Sequence, residues 1–200
     1  MGLFSRNRLP EGVDPRRVPP GQTLTAPDKW PLLHFGPVPK ADLSTWTFKV
    51  FGEVESPLTL SYEELRALPT EVHQEDIHCV TGWSRLDDRW TGVPIKQILE
   101  RVRPKEAAEY VMAHCEYGYT TSVPMDIFSA DDVLLCHGWN GADLTVEHGY
   151  PLRLFVPKKY FWKSAKWLRG LEFMPKNRLG FWEQRGYHDD ADPWRETRYW

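Results

Sequence analysis

The chain has 200 residues, three cysteines and a formal net charge of −3. This length fits one domain or at most two, and the charge gives no basic field that would attract nucleic acid. Three cysteines without regular spacing are not typical of a disulfide framework, and no apolar stretch is long enough to span a membrane. We therefore expect a cytoplasmic protein with no membrane span and no nucleic-acid partner.

Residues 1–29 form a region rich in proline and arginine. Prolines at positions 10, 15, 19, 20 and 27 disfavour helix and remove backbone donors, so the region is predicted to be an extended arm. Arg16 and Arg17 stand side by side, but no apolar run follows them, so they do not predict an export signal. Residues 30–200 are predicted to form the folded domain.

The domain alternates short β-like segments with a few helical ones. Ser61 and Glu64 form a capping box for a helix that stops before Pro69, and Pro94 begins a second helix that extends to Val102. This mixture predicts an α+β fold of mixed β-sheets with short helices. The predicted strands are Thr45–Val54, Val72–Val80, Tyr110–His114, Tyr119–Val123, Val133–Cys136, Leu152–Val156 and Trp167–Phe173.

Each cysteine has a histidine as its neighbour in the sequence. Thiolate and imidazole are ligands of transition metals, so one alternative is a zinc-stabilised binding protein without enzymatic activity. Adjacent residues of a strand point to opposite faces, however, so each pair offers only one ligand easily. Buried, inert cysteine is the expectation for Cys115 and Cys136. The pairs are His78-Cys79, His114-Cys115 and Cys136-His137.

Two further features point to a bound cofactor. Cys79 ends a β-like run and is followed by a turn around Gly82, where backbone can approach a ligand closely. Further along, His148, Gly149 and Pro151 lead into a basic cluster that is either a solvated face or an anion site. Together they predict a phosphate-bearing cofactor whose metal is capped by a thiolate. The cluster comprises Arg153, Lys158, Lys159, Lys163, Lys166 and Arg169.

From Trp30 onward the chain carries several sequence blocks in order: His34–Pro39, His78–Val80, Trp90–Pro94, Tyr119–Pro124, Asn140–Gly141, His148–Arg153, Ser164–Leu168 and Trp182–Tyr187. Any one block is weakly specific, but their order and spacing are specific together. In these blocks the chain resembles the molybdenum domain of the sulfite oxidase family, in its small bacterial branch without a haem domain. The resemblance implies an α+β fold around a molybdenum–molybdopterin cofactor and an oxidoreductase activity.

The resemblance also implies a role for each matching residue. Cys79 would ligate molybdenum through its thiolate, and Tyr187 would be a second catalytic residue near the labile oxygen of the metal. Charge-assisted hydrogen bonds from Arg153 and Lys166 would offset the burial of the cofactor's phosphate. The residues that would bind the cofactor are His34, Phe35, Thr120, Thr121, His148, Arg153, Ser164, Ala165 and Lys166.

The chain departs from true sulfite oxidases where those enzymes place arginines around the substrate. One such position is Leu33 here, and another is Trp83 or Ser84, although Arg85 is near. A less charged pocket favours two-electron oxygen-atom transfer on a small S-oxo or N-oxo compound over sulfite oxidation. Since no haem module fits within the chain, a separate electron-transfer partner is expected. A catalytically silent molybdopterin-binding protein is a further alternative.

Overall fold

The computed structural model describes residues 9–200, and the predictions for residues 1–8 lie outside this range. Strands make up most of its regular structure. The helices are Tyr62–Arg66 (α1), Ile95–Val102 (α2) and Met125–Phe128 (α3). The strands are Thr23–Leu24 (β1), Thr47–Gly52 (β2), Leu58–Ser61 (β3), Glu71–His78 (β4), Trp83–Pro94 (β5), Tyr110–Cys115 (β6), Thr120–Pro124 (β7), Leu134–Trp139 (β8), Ala142–Asp143 (β9), Arg153–Phe155 (β10) and Leu168–Met174 (β11).

The strands form two sheets within residues 9–200. The first sheet has the order β1-β5-β8-β10, with β4 paired to β5 and β9 paired to β8. The second has the order β3-β2-β11-β6-β7. The β1–β5 and β2–β11 pairs are parallel and the others are antiparallel. The predicted α+β fold of mixed sheets with short helices is therefore confirmed.

The two sheets share one large buried core on the inner face of the first sheet. Leu171 of β11 belongs to the same buried cluster as Leu135 of β8 and Leu154 of β10. Because side chains alternate along a strand, the neighbours of these residues in the first sheet face the other way. This outer face buries Phe155 in a separate cluster, and Arg153 lies on it at the start of β10. The candidate site is on this outer face.

The two predicted helices are present as α1 and α2. Ser61 caps α1: its hydroxyl accepts from the backbone N–H of Glu64 (3.1 Å), whose carboxylate accepts from the N–H of Ser61 (2.8 Å). Pro94 is the N-cap of α2, and Ile98 and Val102 of that helix are buried in the core. None of the helices described within residues 9–200 has both the length and the apolar character needed to cross a membrane.

The sequence pattern does not predict β5, the longest strand. Its first half is charged, which hides the alternation of buried and exposed residues. The charge is satisfied internally, because Nε of Arg85 donates to Asp88 at 2.7 Å and the two side chains are only 5% and 3% exposed. Asp87 between them has a φ of +61°, close to where the pairing with β4 shifts register. A bulge and a buried ion pair thus replace the expected hydrophobic pattern.

Residues 9–29 contact the first sheet. Thr23–Leu24 pairs in parallel with Trp83–Ser84, and Arg17 lies 2.6 Å from Asp76 of β4. A short 3-10 helix at Pro15–Arg17 interrupts the extended conformation. The domain boundary predicted at residue 30 stays a prediction.

Candidate functional site

A cavity of about 370 Å³ lies on the outer face of the first sheet, between that sheet and the segments 30–35, 161–167 and 182–187. The sequence places these segments far apart along the chain. Most of the predicted site residues nevertheless meet in the lining of this one cavity. They are His34, Phe35, Cys79, His148, Arg153, Ser164, Ala165, Lys166 and Tyr187.

Cys79 lies in the turn that joins β4 to β5. Its backbone N–H donates to the carbonyl of Trp83 (2.8 Å), and its own carbonyl accepts from the N–H of Gly82 (3.0 Å). Gly82 has a φ of +94°, a left-handed conformation that glycine adopts without steric strain. The turn therefore holds the thiol at the edge of the cavity, as the sequence predicts for a strand that ends at this cysteine.

The side chains packed around this thiol are mainly aromatic. Burial raises the pKa of the Cys79 thiol, while the Thr81 hydroxyl, 3.2 Å from Sγ, acts in the opposite direction. Burial also raises the pKa of Tyr187, so its phenol stays protonated at neutral pH. The Tyr187 ring meets the ring of Trp162 edge to face at 5.1 Å. We call this group the thiol wall: Cys79, Val80, Trp83, Trp162 and Tyr187.

A second group of lining residues is centred on Arg153. Its Nη1 donates to the carbonyl of His148 (2.8 Å), its Nη2 donates to the carbonyl of Ser164 (2.6 Å), and the guanidinium lies 4.2 Å from the Phe161 ring. The residue is only 2% exposed, and no carboxylate pairs with it among residues 9–200. Burial lowers the pKa of Arg153 to about 10, because the charged form loses hydration.

Lys166 and His148 complete what we call the cationic wall, together with Arg153. Nζ of Lys166 donates to the carbonyls of Leu33 (2.7 Å) and Glu147 (2.8 Å). Burial, followed by the nearby Arg153 charge, lowers the pKa of Lys166 to about 7. His148 stacks on the ring of Trp30 at 3.8 Å, and burial lowers its pKa to about 4.

Gly149 lets the members of the cationic wall approach one another. A Cβ at this position would lie 3.2 Å from Cβ of Arg153 and 3.3 Å from Cγ of Lys166, and the residue has a φ of +117°. Any larger side chain would crowd the aliphatic carbons of Arg153 and Lys166 and strain the backbone. The His148-Gly149 turn therefore brings two basic side chains together, as the sequence predicts for an anion site.

The basic cluster predicted from the sequence does not form one site. Arg153 and Lys166 line the cavity, whereas the other members pair with carboxylates outside it. Arg153 and Lys166 are thus the two cations of this cluster that lie where they could bind an anion in the cavity, and the rest support the fold or the surface. The other pairs are Lys158–Asp132 (3.0 Å), Lys159–Asp190 (2.9 Å), Lys163–Glu183 (2.6 Å) and Arg169–Glu116 (3.6 Å).

Thr120 and Thr121 are the predicted site residues that the structure does not bring to the cavity lining. Both belong to β7 in the second sheet. The side chain of Thr121 is buried and donates to the carboxylate of Glu183 at 2.6 Å, and the carbonyl of Thr120 accepts from the N–H of Phe181 at 2.8 Å. These threonines thus fasten the 180–187 segment rather than facing the cavity.

The remaining cysteines are buried away from the cavity. Burial raises the pKa of both thiols, to about 12 for Cys136, so neither ionises near neutral pH. Within residues 9–200 no group of three or more histidine, cysteine or acidic side chains could hold a metal ion. The three Cys/His pairs therefore do not converge, and the zinc alternative has no support in the described part of the chain.

The comparisons with known proteins agree with this geometry. Residues 35–182 match the family model described as the oxidoreductase molybdopterin binding domain. The chain belongs to this family, so it is an oxidoreductase with a molybdenum–molybdopterin cofactor, and the predicted resemblance is confirmed.

Individual relatives refine the comparison. The chain is 50% identical over 184 residues to the uncharacterized oxidoreductase YuiH of Bacillus subtilis, covering 92% of each sequence. It is 32% identical to the protein-methionine-sulfoxide reductase catalytic subunit MsrP of Xanthomonas axonopodis, covering 76% of this chain but 53% of that protein. The chain thus spans about half the length of that reductase.

A solved structure is similar in fold. The sulfane dehydrogenase SoxCD from Paracoccus pantotrophus matches with a TM-score of 0.66 and 24% identity, covering 72% of this chain and 42% of that one. At this identity the likeness concerns the fold alone, which is the α+β fold predicted from the sequence.

The cavity fits the cofactor in its polar chemistry. Four buried nitrogens of its lining have no hydrogen-bond partner among residues 9–200, namely those of Trp83 (Nε1), His148 (Nε2), Arg153 (Nε) and Trp162 (Nε1). A buried polar group without a partner costs about 1–3 kcal/mol, so such groups are expected to bind a ligand. A phosphate-bearing pterin offers acceptors for these nitrogens, and Cys79 offers a thiolate for its metal.

Sequence reasoning missed several aromatic residues of the lining, of which Trp30 is the clearest. Its ring stacks on His148 and lies 4.7 Å from the ring of Trp139. Trp30 stands in a proline-rich segment without a hydrophobic pattern around it. An isolated tryptophan of this kind was the available sign that the residue packs against a distant part of the chain. Tyr119, Phe161 and Trp182 also line the cavity.

Proposed function

We propose that this oxidoreductase transfers an oxygen atom, with two electrons, to or from a small uncharged sulfur compound, with a sulfoxide as the oxidised form. The observation that carries the proposal is the aromatic, uncharged character of the thiol wall. A sulfite dianion in such surroundings would lack the cations needed to offset its burial. A neutral S–O or N–O group instead needs only a hydrogen-bond donor.

The nearby arginine does not change this argument. Arg85 follows Cys79 closely in sequence, but its guanidinium is paired with Asp88 and donates to the carbonyl of Pro27 (3.1 Å). It does not belong to the cavity lining. Leu33 lines the cavity where sulfite oxidases are expected to place another arginine. Neither position therefore supplies a cation for a charged substrate.

Different residues of the cavity would have different roles in catalysis. When bound, the cofactor supplies a metal centre that exchanges two electrons together with an oxygen atom. Cys79 would ligate the metal, while Arg153 and Lys166 would bind the phosphate. The protonated phenol of Tyr187 would donate a hydrogen bond to the substrate oxygen. Reduction of a sulfoxide consumes two protons and two electrons and releases the sulfide and water.

The relatives support an S-oxide among the possible substrates. A protein-methionine-sulfoxide reductase acts, by its name, on a sulfoxide, and such reductases recur among the relatives of this chain. A separate electron-transfer protein would supply the electrons. The cytoplasmic location expected from the sequence stays a prediction.

The test is a substrate screen on protein that carries measured molybdenum and pterin. Reduced benzyl viologen would supply electrons to methionine sulfoxide, dimethyl sulfoxide or trimethylamine N-oxide, and ferricyanide would accept them from sulfite. We expect dye oxidation that depends on a sulfoxide and is absent in an equally loaded Cys79→Ser variant. Efficient sulfite oxidation without sulfoxide reduction would refute the proposed substrate. Full loading without turnover in either direction would favour the catalytically silent alternative.

A further inference from the structure

Two side chains from outside the family-matched range hold the turn that carries Cys79. Nε2 of Gln22 donates to the carbonyl of Cys79 at 3.1 Å, and Nη1 of Arg198 donates to the carbonyl of Val80. The backbone N–H of Thr23 also donates to the carbonyl of Gly82, at 2.8 Å. The family model matches residues 35–182, so these three donor residues lie outside the matched range.

The guanidinium of Arg198 is itself held in place. Its side chain is 20% exposed, lies over the Tyr160 ring at 5.3 Å, and comes within 3.7 Å of the Glu196 carboxylate. A hydrogen bond donated by a charged group to a backbone carbonyl is stronger than one between neutral groups, so this cation restrains the orientation of the peptide it contacts. The group it orients is the Val80–Thr81 peptide, one residue beyond Cys79, while Gln22 holds the Cys79–Val80 peptide.

The C-terminal segment that contains Arg198 also contacts Tyr187, the second predicted catalytic residue. The N–H of His188 donates to the carbonyl of Arg198 (3.1 Å), and the N–H of Trp200 donates to the carbonyl of Gly186 (3.1 Å). Between these two bonds, Tyr199 is bridged to Tyr187, and their rings lie 5.1 Å apart. Residues 198–200 therefore connect the Cys79 turn to the Tyr187 segment.

We propose that Arg198, assisted by Gln22, is a positioning residue that sets the orientation of the Cys79 sulfur and its placement relative to Tyr187. Groups that orient a metal ligand tune the metal as well as its affinity, because the ligand's direction fixes its overlap with the metal. The inference rests on the proposed role of Cys79 as the metal ligand. According to this proposal, Gln22 and Arg198, which lie outside the matched residues 35–182, support the metal ligand.

The experiment compares loaded holoenzymes of the wild type, Arg198→Gln, Arg198→Lys and Arg195→Gln. Arg195 is the matched control, since its side chain is 71% exposed and pairs with Asp190 at the surface. The readouts are the electron paramagnetic resonance spectrum of the Mo(V) state, the molybdenum content, and dye-linked kcat and KM. We expect Arg198→Gln to shift the Mo(V) g values and to lower kcat roughly 10-fold, with KM and molybdenum content unchanged.

Rescue by lysine distinguishes positioning from general stability. Lysine keeps the charge and one donor, so Arg198→Lys should restore the g values and most of kcat. Wild-type spectra and kcat in Arg198→Gln, or equal changes in Arg195→Gln, would overturn the proposal. If Arg198→Gln does not fold, Gln22→Leu tests the other donor and should shift the same spectrum. An unchanged spectrum in Gln22→Leu would then overturn the inference.

A Cys79→Ser holoenzyme tests the proposed role of Cys79 as the metal ligand separately from the positioning role of Arg198. If this variant keeps the wild-type Mo(V) spectrum, Cys79 does not ligate the metal, and both the proposed ligand and the inference fail. If its spectrum changes while those of Arg198→Gln and Gln22→Leu do not, only the positioning role fails. The spectroscopic readout does not depend on the substrate, so a wrong substrate proposal leaves it intact.

Discussion

The thiol wall and the cationic wall line one cavity but differ in what they bury. Around Cys79 the lining groups are half-buried aromatic rings and the phenol of Tyr187, with indole nitrogens as additional donors. Around Arg153, which is buried, lie the half-buried Lys166 and His148, and the two cations are held mainly by backbone carbonyls. The first surface suits a neutral reacting group, and the second suits an anion.

The difference between the walls has an energetic meaning. Burying an unpaired cation is costly, and burial accordingly lowers the pKa of both Arg153 and Lys166. A bound phosphate would offset the cost of burying these cations, so the cationic wall should bind the charged group of the cofactor tightly. The thiol wall has no comparable charge to neutralise. Binding of the cofactor and chemistry at the metal are therefore separable, and substitutions can be aimed at one wall at a time.

The largest effect is expected at the thiol wall from Cys79→Ser. Turnover should fall below detection while pterin is still retained, because the cationic wall is intact and only the sulfur ligand is lost. Elemental analysis, fluorescence of the oxidised pterin and the dye-linked assay measure the three quantities. Turnover close to that of the wild type would show that the thiolate is not needed.

Cys115→Ala provides the matched control, since Cys115 is buried in the main core. It should retain metal, pterin and turnover, with some loss of stability from the smaller side chain. If it lost metal as completely as Cys79→Ser, the zinc alternative built on the Cys/His pairs would regain support.

The next effect is expected at the cationic wall from Arg153→Met. Leaving the phosphate without its buried partner should cost about 3–5 kcal/mol of cofactor binding, so the purified protein should contain little pterin. Without cofactor, the free energy of unfolding of the variant should lie within about 1 kcal/mol of that of the wild type. The substitution removes the hydrogen bonds of Arg153, but it also removes a buried cation that no anion compensates. Pterin content and urea unfolding of both forms measure these effects.

Arg169→Met is the control for Arg153→Met, because Arg169 pairs with Glu116 at 3.6 Å outside the cavity. It should bind pterin as the wild type does. Full loading of Arg153→Met would contradict the assignment of the cationic wall to the phosphate.

Tyr187→Phe is expected to have a smaller effect on turnover. The phenol would stabilise the substrate oxygen in the transition state, so its removal should lower kcat by about 100-fold while molybdenum and pterin contents stay unchanged. Steady-state kinetics on loaded protein measure this, with the exposed Tyr117→Phe as the control. A fall in loading that matches the fall in kcat would reassign Tyr187 to cofactor binding.

The parts of the fold that the sequence predicts are those with local signals. The capping box at Ser61 and the proline before α2 are such signals, and the structure contains both helices. Strand β5 has no such signal, because Arg85 and Asp88 occupy positions where a hydrophobic pattern would show alternation. Their mutual neutralisation depends on folding, which a single sequence does not display.

The same limit applies to the site. Cys79 and Arg153 follow from the order of the sequence blocks, and both line the cavity. Thr120 belongs to a matching block too, but strand pairing directs its segment toward Glu183 and Phe181. Gln22 and Arg198 act on backbone carbonyls, which every residue possesses, so no sequence pattern reveals them.

The smallest effect concerns pH and the stability of the cationic wall. The pKa of Lys166 falls to about 7 from its ordinary value of 10.5, so between these values the unfolded chain binds a proton that the folded chain does not. Stability of the cofactor-free protein should therefore rise with pH above 7. Relative to Lys166→Met, the wild type should gain about 2–3 kcal/mol of unfolding free energy between pH 6 and pH 9.

The loaded protein gives the sharper form of this test. A phosphate beside Lys166 favours its charged form, so the pH-dependent difference between wild type and Lys166→Met should flatten once the cofactor is bound. Lys158→Met, whose lysine is exposed and pairs with Asp132, should leave the pH profile of the wild type unchanged. A difference of the same slope with and without cofactor would mean that Lys166 does not face the phosphate, and the cationic wall would then consist of Arg153 and His148 alone.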